Sequence, residues 1–87
     1  MQKWEYCEVD ARYGDIAGII TVVFHKPTGA DTQKYELRKR TGMFRQTIED
    51  TDEKAREIVA QLGLEGWELV NVEGGRMFRL KRPLSNS

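Results

Sequence analysis

Cys7 and His25 are the only thiol and the only imidazole in this 87-residue chain. They are the residue types of a nucleophile and the general base that activates it. Whether they can act together depends on how the segments carrying them pair. A two-residue turn at Gly14-Asp15 sets Cys7 opposite Val22 and leaves His25 three rows away, about 10 Å. A five-residue loop from Gly14 to Gly18 sets Cys7 opposite His25. The residues do not choose between these registers, and neither brings an oxyanion hole or a third group to orient the imidazole. A small packed thiol and an imidazole at a strand end account for the same two residues. No catalytic residue is assigned, and the chain is read as not an enzyme.

Carboxylates cluster at Glu49, Asp50, Asp52 and Glu53. They could gather a hard cation, but the spaced oxygens and central glycine of a calcium loop are missing. Capping and dipole compensation at a helix start explain these acids without an ion. One cysteine and one histidine also exclude a Cys/His zinc cage. Gly74-Gly75 lies between two strand-like runs and opens no helix, so it reads as a turn and not as a phosphate loop. No metal and no cofactor is expected.

Arg38, Lys39, Arg40 and Arg45, with Phe44 among them, combine cations with a ring on which a base can stack. Arg76, Arg79, Lys81 and Arg82 form a second basic set. Nucleic-acid or anionic-ligand binding through the Arg38–Arg45 segment is therefore the alternative reading. Against it stands the balance of 14 basic and 14 acidic side chains, which lacks the positive excess of a nucleic-acid binder. The charge is blocked along the chain: net −2 over residues 1–33, +4 over 34–46, −6 over 47–75 and +4 over 76–87. Such alternation suits a chain that folds back on itself.

The length allows one domain, read as residues 1–83 followed by a frayed tail at 84–87. Lys3 to Ala11 and Ile16 to His25 read as strands, separated by a turn at Tyr13, Gly14 and Asp15. Lys26 to Asp31, punctuated by Pro27 and Gly29, reads as a second turn. A polar third strand through Tyr35-Glu36-Leu37-Arg38 suits a sheet edge. Thr41 to Glu49 reads as a loop, with Met43 and Phe44 available to tuck inward. Ala55, Ile58, Val59 and Leu62 make one helical stripe. Asp50 and Glu53 have capping-box spacing, which predicts a helix over Thr51 to Glu65, about 22 Å long. Gly66 is the expected left-handed stop, with Gly63 an earlier alternative.

A two-residue turn at Gly74-Gly75 would pair Trp67–Glu73 with Arg76–Arg82. That register opposes Glu73 with Arg76, Leu69 with Leu80, Glu68 with Lys81 and Val70 with Arg79. Trp67, Leu69, Phe78 and Leu80 then share the face that seats the helix, and Val70, Val72 and Met77 share the other with Glu68, Arg79 and Lys81. The fold class is α+β: an antiparallel sheet, β-β-β-α-β-β along the chain, with one helix on one face.

Trp4-Glu5-Tyr6, the run Gly63-Leu64-Glu65-Gly66-Trp67-Glu68-Leu69-Val70, and Phe78-Arg79-Leu80-Lys81-Arg82-Pro83 carry a resemblance. The chain resembles the small bacterial family of domain of unknown function 4177, over the first strand and roughly residues 55–83. The stretch from about Gly14 to Asp50 is longer than the family pattern. The resemblance implies a fold and brings no assigned catalytic residues. In physical terms Gly66 stops the helix, Trp67 plugs the corner beneath it and Leu69 starts the core face.

Self-association is the strongest functional expectation. Ile16, Ile20, Val22 and Phe24 point one way, and Ala17, Ile19 and Val23 the other, so the second strand is apolar on both faces. One helix about 10–12 Å across cannot cover both. The expectation is a non-catalytic interaction module working as a homodimer through a face centred on Val70, Val72 and Met77. No apolar run reaches the roughly 18 residues of a membrane span, and the N-terminus lacks signal-peptide order, so a cytoplasmic protein without a membrane partner is expected.

Overall fold

A computed structural model describes residues 3–14, 17–38 and 44–84. Five strands form one antiparallel sheet: β1 (Trp4–Tyr13), β2 (Ala17–Lys26), β3 (Gly29–Arg38), β4 (Glu68–Glu73) and β5 (Met77–Pro83). The helix α1 (Phe44–Leu64) separates β3 from β4, and the spatial order is β3-β2-β1-β5-β4. The α+β class and the element order are those expected from the sequence.

Alternation along β1 and β2 builds the core. Cys7, Val9 and Ala11 of β1, Ile20 and Val22 of β2, and Leu80 of β5 are buried beneath Ala55 and Leu62 of α1. Ile58 and Val59 pack against the same cluster, as the helical stripe requires. The helix lies mainly over β1 and β2 and approaches the two edge strands, β3 and β4, less.

The end of α1 follows from Gly66, at φ +94°. The Gly66 N–H donates to the Gly63 carbonyl (3.1 Å) and the Trp67 N–H to the Leu62 carbonyl (3.0 Å). This is the Schellman pairing, and its apolar contact is supplied by Leu62 and Trp67, both in the core.

The start of α1 differs from the expectation. The helix begins at Phe44, so residues 44–49 are helical and not loop, and Asp50 and Glu53 sit inside the helix and not at its cap. The stripe continues backwards through Thr51, which is fully buried. Its hydroxyl donates to the Thr47 carbonyl at 2.6 Å, satisfying the buried oxygen within the helix. A polar residue in the stripe masked the earlier turns. Met43 lies outside the described residues.

The strands differ in extent. β3 starts at Gly29, six residues before the expected Tyr35, because pairing with β2 holds polar residues in the ladder. Tyr13 belongs to β1 and not to the turn. At the far end Leu84 N–H donates to the Lys3 carbonyl (2.8 Å), tying the chain to β1 beyond residue 83; residues 85–87 lie outside the described residues.

Both hairpin registers also differ. In the first, Tyr13 opposes Gly18 and Cys7 opposes Phe24, so neither register weighed above is adopted. In the last, Glu68 opposes Lys81 and Leu69 opposes Leu80 as expected. A bulge then absorbs Val70, Asn71 opposes Arg79, and Val72 opposes Phe78. Glu73 opposes Met77, leaving three residues in the turn, with Gly74 and Gly75 at φ +58° and +66°. The Arg76 N–H closes that turn on the Glu73 carbonyl at 3.1 Å.

Candidate functional site

The pairing separates Cys7 from His25. Directly opposed residues share a sheet face. Cys7 lies with Phe24 under the helix, and His25 lies with Tyr6 on the opposite face. The imidazole Nε2 stands 3.6 Å from a Glu8 carboxylate oxygen. The thiol is fully buried, and burial, aided by Glu8 and only partly opposed by Arg82, pushes it up to about 12. It is a packed neutral thiol and not a nucleophile poised beside a base.

The acids are distributed along α1. Tyr13 donates its hydroxyl to Asp52, pinning the helix to the end of β1. Among the described residues no three Asp, Glu, His or Cys side chains converge as a metal cage, and no helix is long and apolar enough to cross a membrane.

Arg38 closes β3 and Arg45 lies in the first turn of α1. Their side chains, and Lys39 and Arg40 entirely, lie outside the described residues. The second basic set is engaged within the chain. Arg76 stacks over Tyr13 (5.0 Å), Lys81 over Trp4 (4.2 Å), and Arg79 pairs with Glu73 (3.1 Å). Arg82 bonds Glu5 through Nε at 2.5 Å, stacks on the Trp67 ring at 4.4 Å, and donates from Nη1 to the Glu65 carbonyl at 3.2 Å. Sequence spacing could not find this cluster, because its members come from β1, β5 and the end of α1.

The expected self-association residues do not share one face. Val72, opposite Phe78, lies on the helix side; Met77, opposite Glu73, lies on the helix-free side; Val70 sits at the bulge. Leu69 is not core: it is 46% exposed, beside Val70 at 55% and Val72 at 40%. The cause is that α1 ends before it covers β4, an edge strand exposed along its whole length. Leu64 in the last turn of α1 is 83% exposed. On the helix-free face, Ile19 and Val23 are only half-buried, and Glu8, Asp10 and Arg12 of the neighbouring strand intervene before Met77. That face is a mixed lattice, while the helix-side edge at β4 is a more continuous apolar strip.

A second feature lies at the opposite edge. Between α1 and β2–β3 runs a groove of about 390 Å³, floored by Val22, Phe24, Tyr35 and Ile58 and walled by Lys54, Glu57, Gln61 and Glu65. Compared with protein-family models, curated proteins and solved structures, the chain finds no match in any of the three.

Proposed function

We propose that the chain is a non-catalytic interaction module that works as a homodimer, joined through β4. The observation that carries this reading is the exposure of Leu69, Val70 and Val72 together on one edge strand. Edges of soluble sheets are ordinarily blunted by charge, and between Glu68 and Glu73 β4 carries none. On β4 the two carboxylates at the strand ends lie by register on the helix-free side, away from Leu69 and Val72, with Glu73 paired to Arg79 and Glu68 opposite Lys81. Two copies of this strip can therefore meet without an unbalanced charge between them, which is the requirement of an isologous interface. Leu64 extends the strip at the helix end.

Sedimentation velocity at micromolar concentration tests the reading. The expected result is a particle of twice the 10.1 kDa chain mass, converted to a monomer by Val72→Asp with its circular dichroism unchanged. Met77→Asp, on the helix-free face, leaves the dimer intact. A wild-type monomer, or dissociation by Met77→Asp and not by Val72→Asp, overturns it.

A further inference from the structure

We infer that the groove between α1 and β3 receives an extended peptide carrying basic side chains, which adds to the outer edge of β3 as a sixth strand. β3 and β4 are the two opposite edges of the sheet, so this surface is separate from the proposed dimer contact. No strand of the described residues adjoins the outer side of β3. An edge strand beside a helix-walled groove is a geometry that accepts a strand through main-chain hydrogen bonds, with pockets reading alternate side chains.

The groove sets the chemistry of those side chains. Its floor is largely apolar and holds two aromatic rings, Phe24 and Tyr35, with Gln33 beside them accepting from the Tyr35 hydroxyl at 3.1 Å. Its helix wall presents Glu57, Gln61 and Glu65, all exposed, and one cation, Lys54, whose Nζ lies 3.8 Å from Glu57 and 5.9 Å from the centre of the Tyr35 ring. The wall thus carries two carboxylates to one ammonium. A lysine or arginine in the groove lays its methylenes on the floor and brings its charge to the wall, while a neighbouring aliphatic residue fills the floor.

The spacing agrees. Glu57 on α1 and Glu65, the first residue past its end, are eight residues apart, about 12 Å at the helical rise. Same-face residues i and i+4 of a strand are about 13 Å apart. The second half of the helix also runs alongside the strands: Lys54, at its midpoint, lies over Tyr35, and Trp67, just past its C-terminal end, meets Phe24 with ring centroids 5.8 Å apart. Two basic residues four apart in the peptide therefore face the two carboxylates, with an aliphatic residue midway.

The test is nitrogen–proton correlation NMR of the labelled full chain titrated with a capped octapeptide in which Lys-Thr-Val-Thr occurs twice. The control is the same peptide with glutamate for lysine. The expected result is a saturable shift of β3 amides and of the 54–65 helix stripe with the lysine peptide, and none with the glutamate peptide. Glu57→Lys combined with Glu65→Lys should weaken binding at least about tenfold, while Glu68→Lys at the other edge leaves it unchanged. The unperturbed remainder of the spectrum shows that the variants fold. Absence of shifts at millimolar peptide, equal shifts with the glutamate peptide, or shifts confined to β4 overturn the inference. Dimer formation is read separately by sedimentation.

Discussion

Gly18 of β2 and Thr51 of α1 meet so closely that a side chain at position 18 has no room: a Cβ there would stand 2.0 Å from Thr51 Oγ1 and 3.0 Å from Thr51 Cβ and Cγ2. This contact sets how near the helix approaches the sheet. A glycine inside a strand marks such a close approach. Gly18→Ala should destabilise the fold by about 1–3 kcal/mol, the cost of forcing a methyl group into packed space. Thr51→Ala removes two of the three clashing atoms, so the double variant should lose less than the sum of the single losses. Urea denaturation of the four proteins checks this; strict additivity would mean that the two residues do not meet.

Arg82 joins the first strand, the last strand and the helix end. Glu5 is nearly buried, its side chain 11% exposed, while Arg82 is 35% exposed. Removing the cation leaves a carboxylate close to the core without its partner. Arg82→Ala should cost about 2–3 kcal/mol, below the full value for a buried pair because water reaches the guanidinium. Arg82→Lys should recover only part, since an ammonium cannot both stack on Trp67 and bond two oxygens in one plane. Trp67→Ala should cost about 3–5 kcal/mol. In a Trp4→Phe background, the Trp67 emission should be blue-shifted in the native state and move to the solvent value on unfolding.

Cys7 makes stability depend on alkaline pH. Its thiol titrates near 8.5 in an unfolded chain and at about 12 in the native one. The raised native value means that the neutral form is the one the fold favours. The contribution is fully present below about 8.5 and is lost as pH rises from there through 12. Between these limits the wild type should lose up to about 1.4 kcal/mol per pH unit more than Cys7→Ala. Denaturation midpoints measured from pH 8 to pH 10.5, about two units into that window, decide it; parallel curves would contradict the burial. At pH 8 the native thiol should resist an aromatic disulfide reagent and react on addition of denaturant.

Features governed by local rules were legible from the residues. The stripe of Ala55, Ile58, Val59 and Leu62 has a period only a helix satisfies, and Gly66 follows it where a left-handed residue is needed; both stand in the fold. Alternation in β2 likewise assigned Ile20 and Val22 to one face. The helix start was hidden because Thr51 interrupts the apolar pattern, and its burial makes sense only against Gly18, 33 positions away. Strand register has the same character. A shift of one residue leaves composition unchanged but turns every side chain to the other face, and the bulge at Val70 did so for Val72. The Glu5–Arg82 bond spans 77 positions, and the groove wall and floor come from α1, β2 and β3. No spacing in a linear chain encodes such meetings; they arise when the sheet closes and the helix lies down on it.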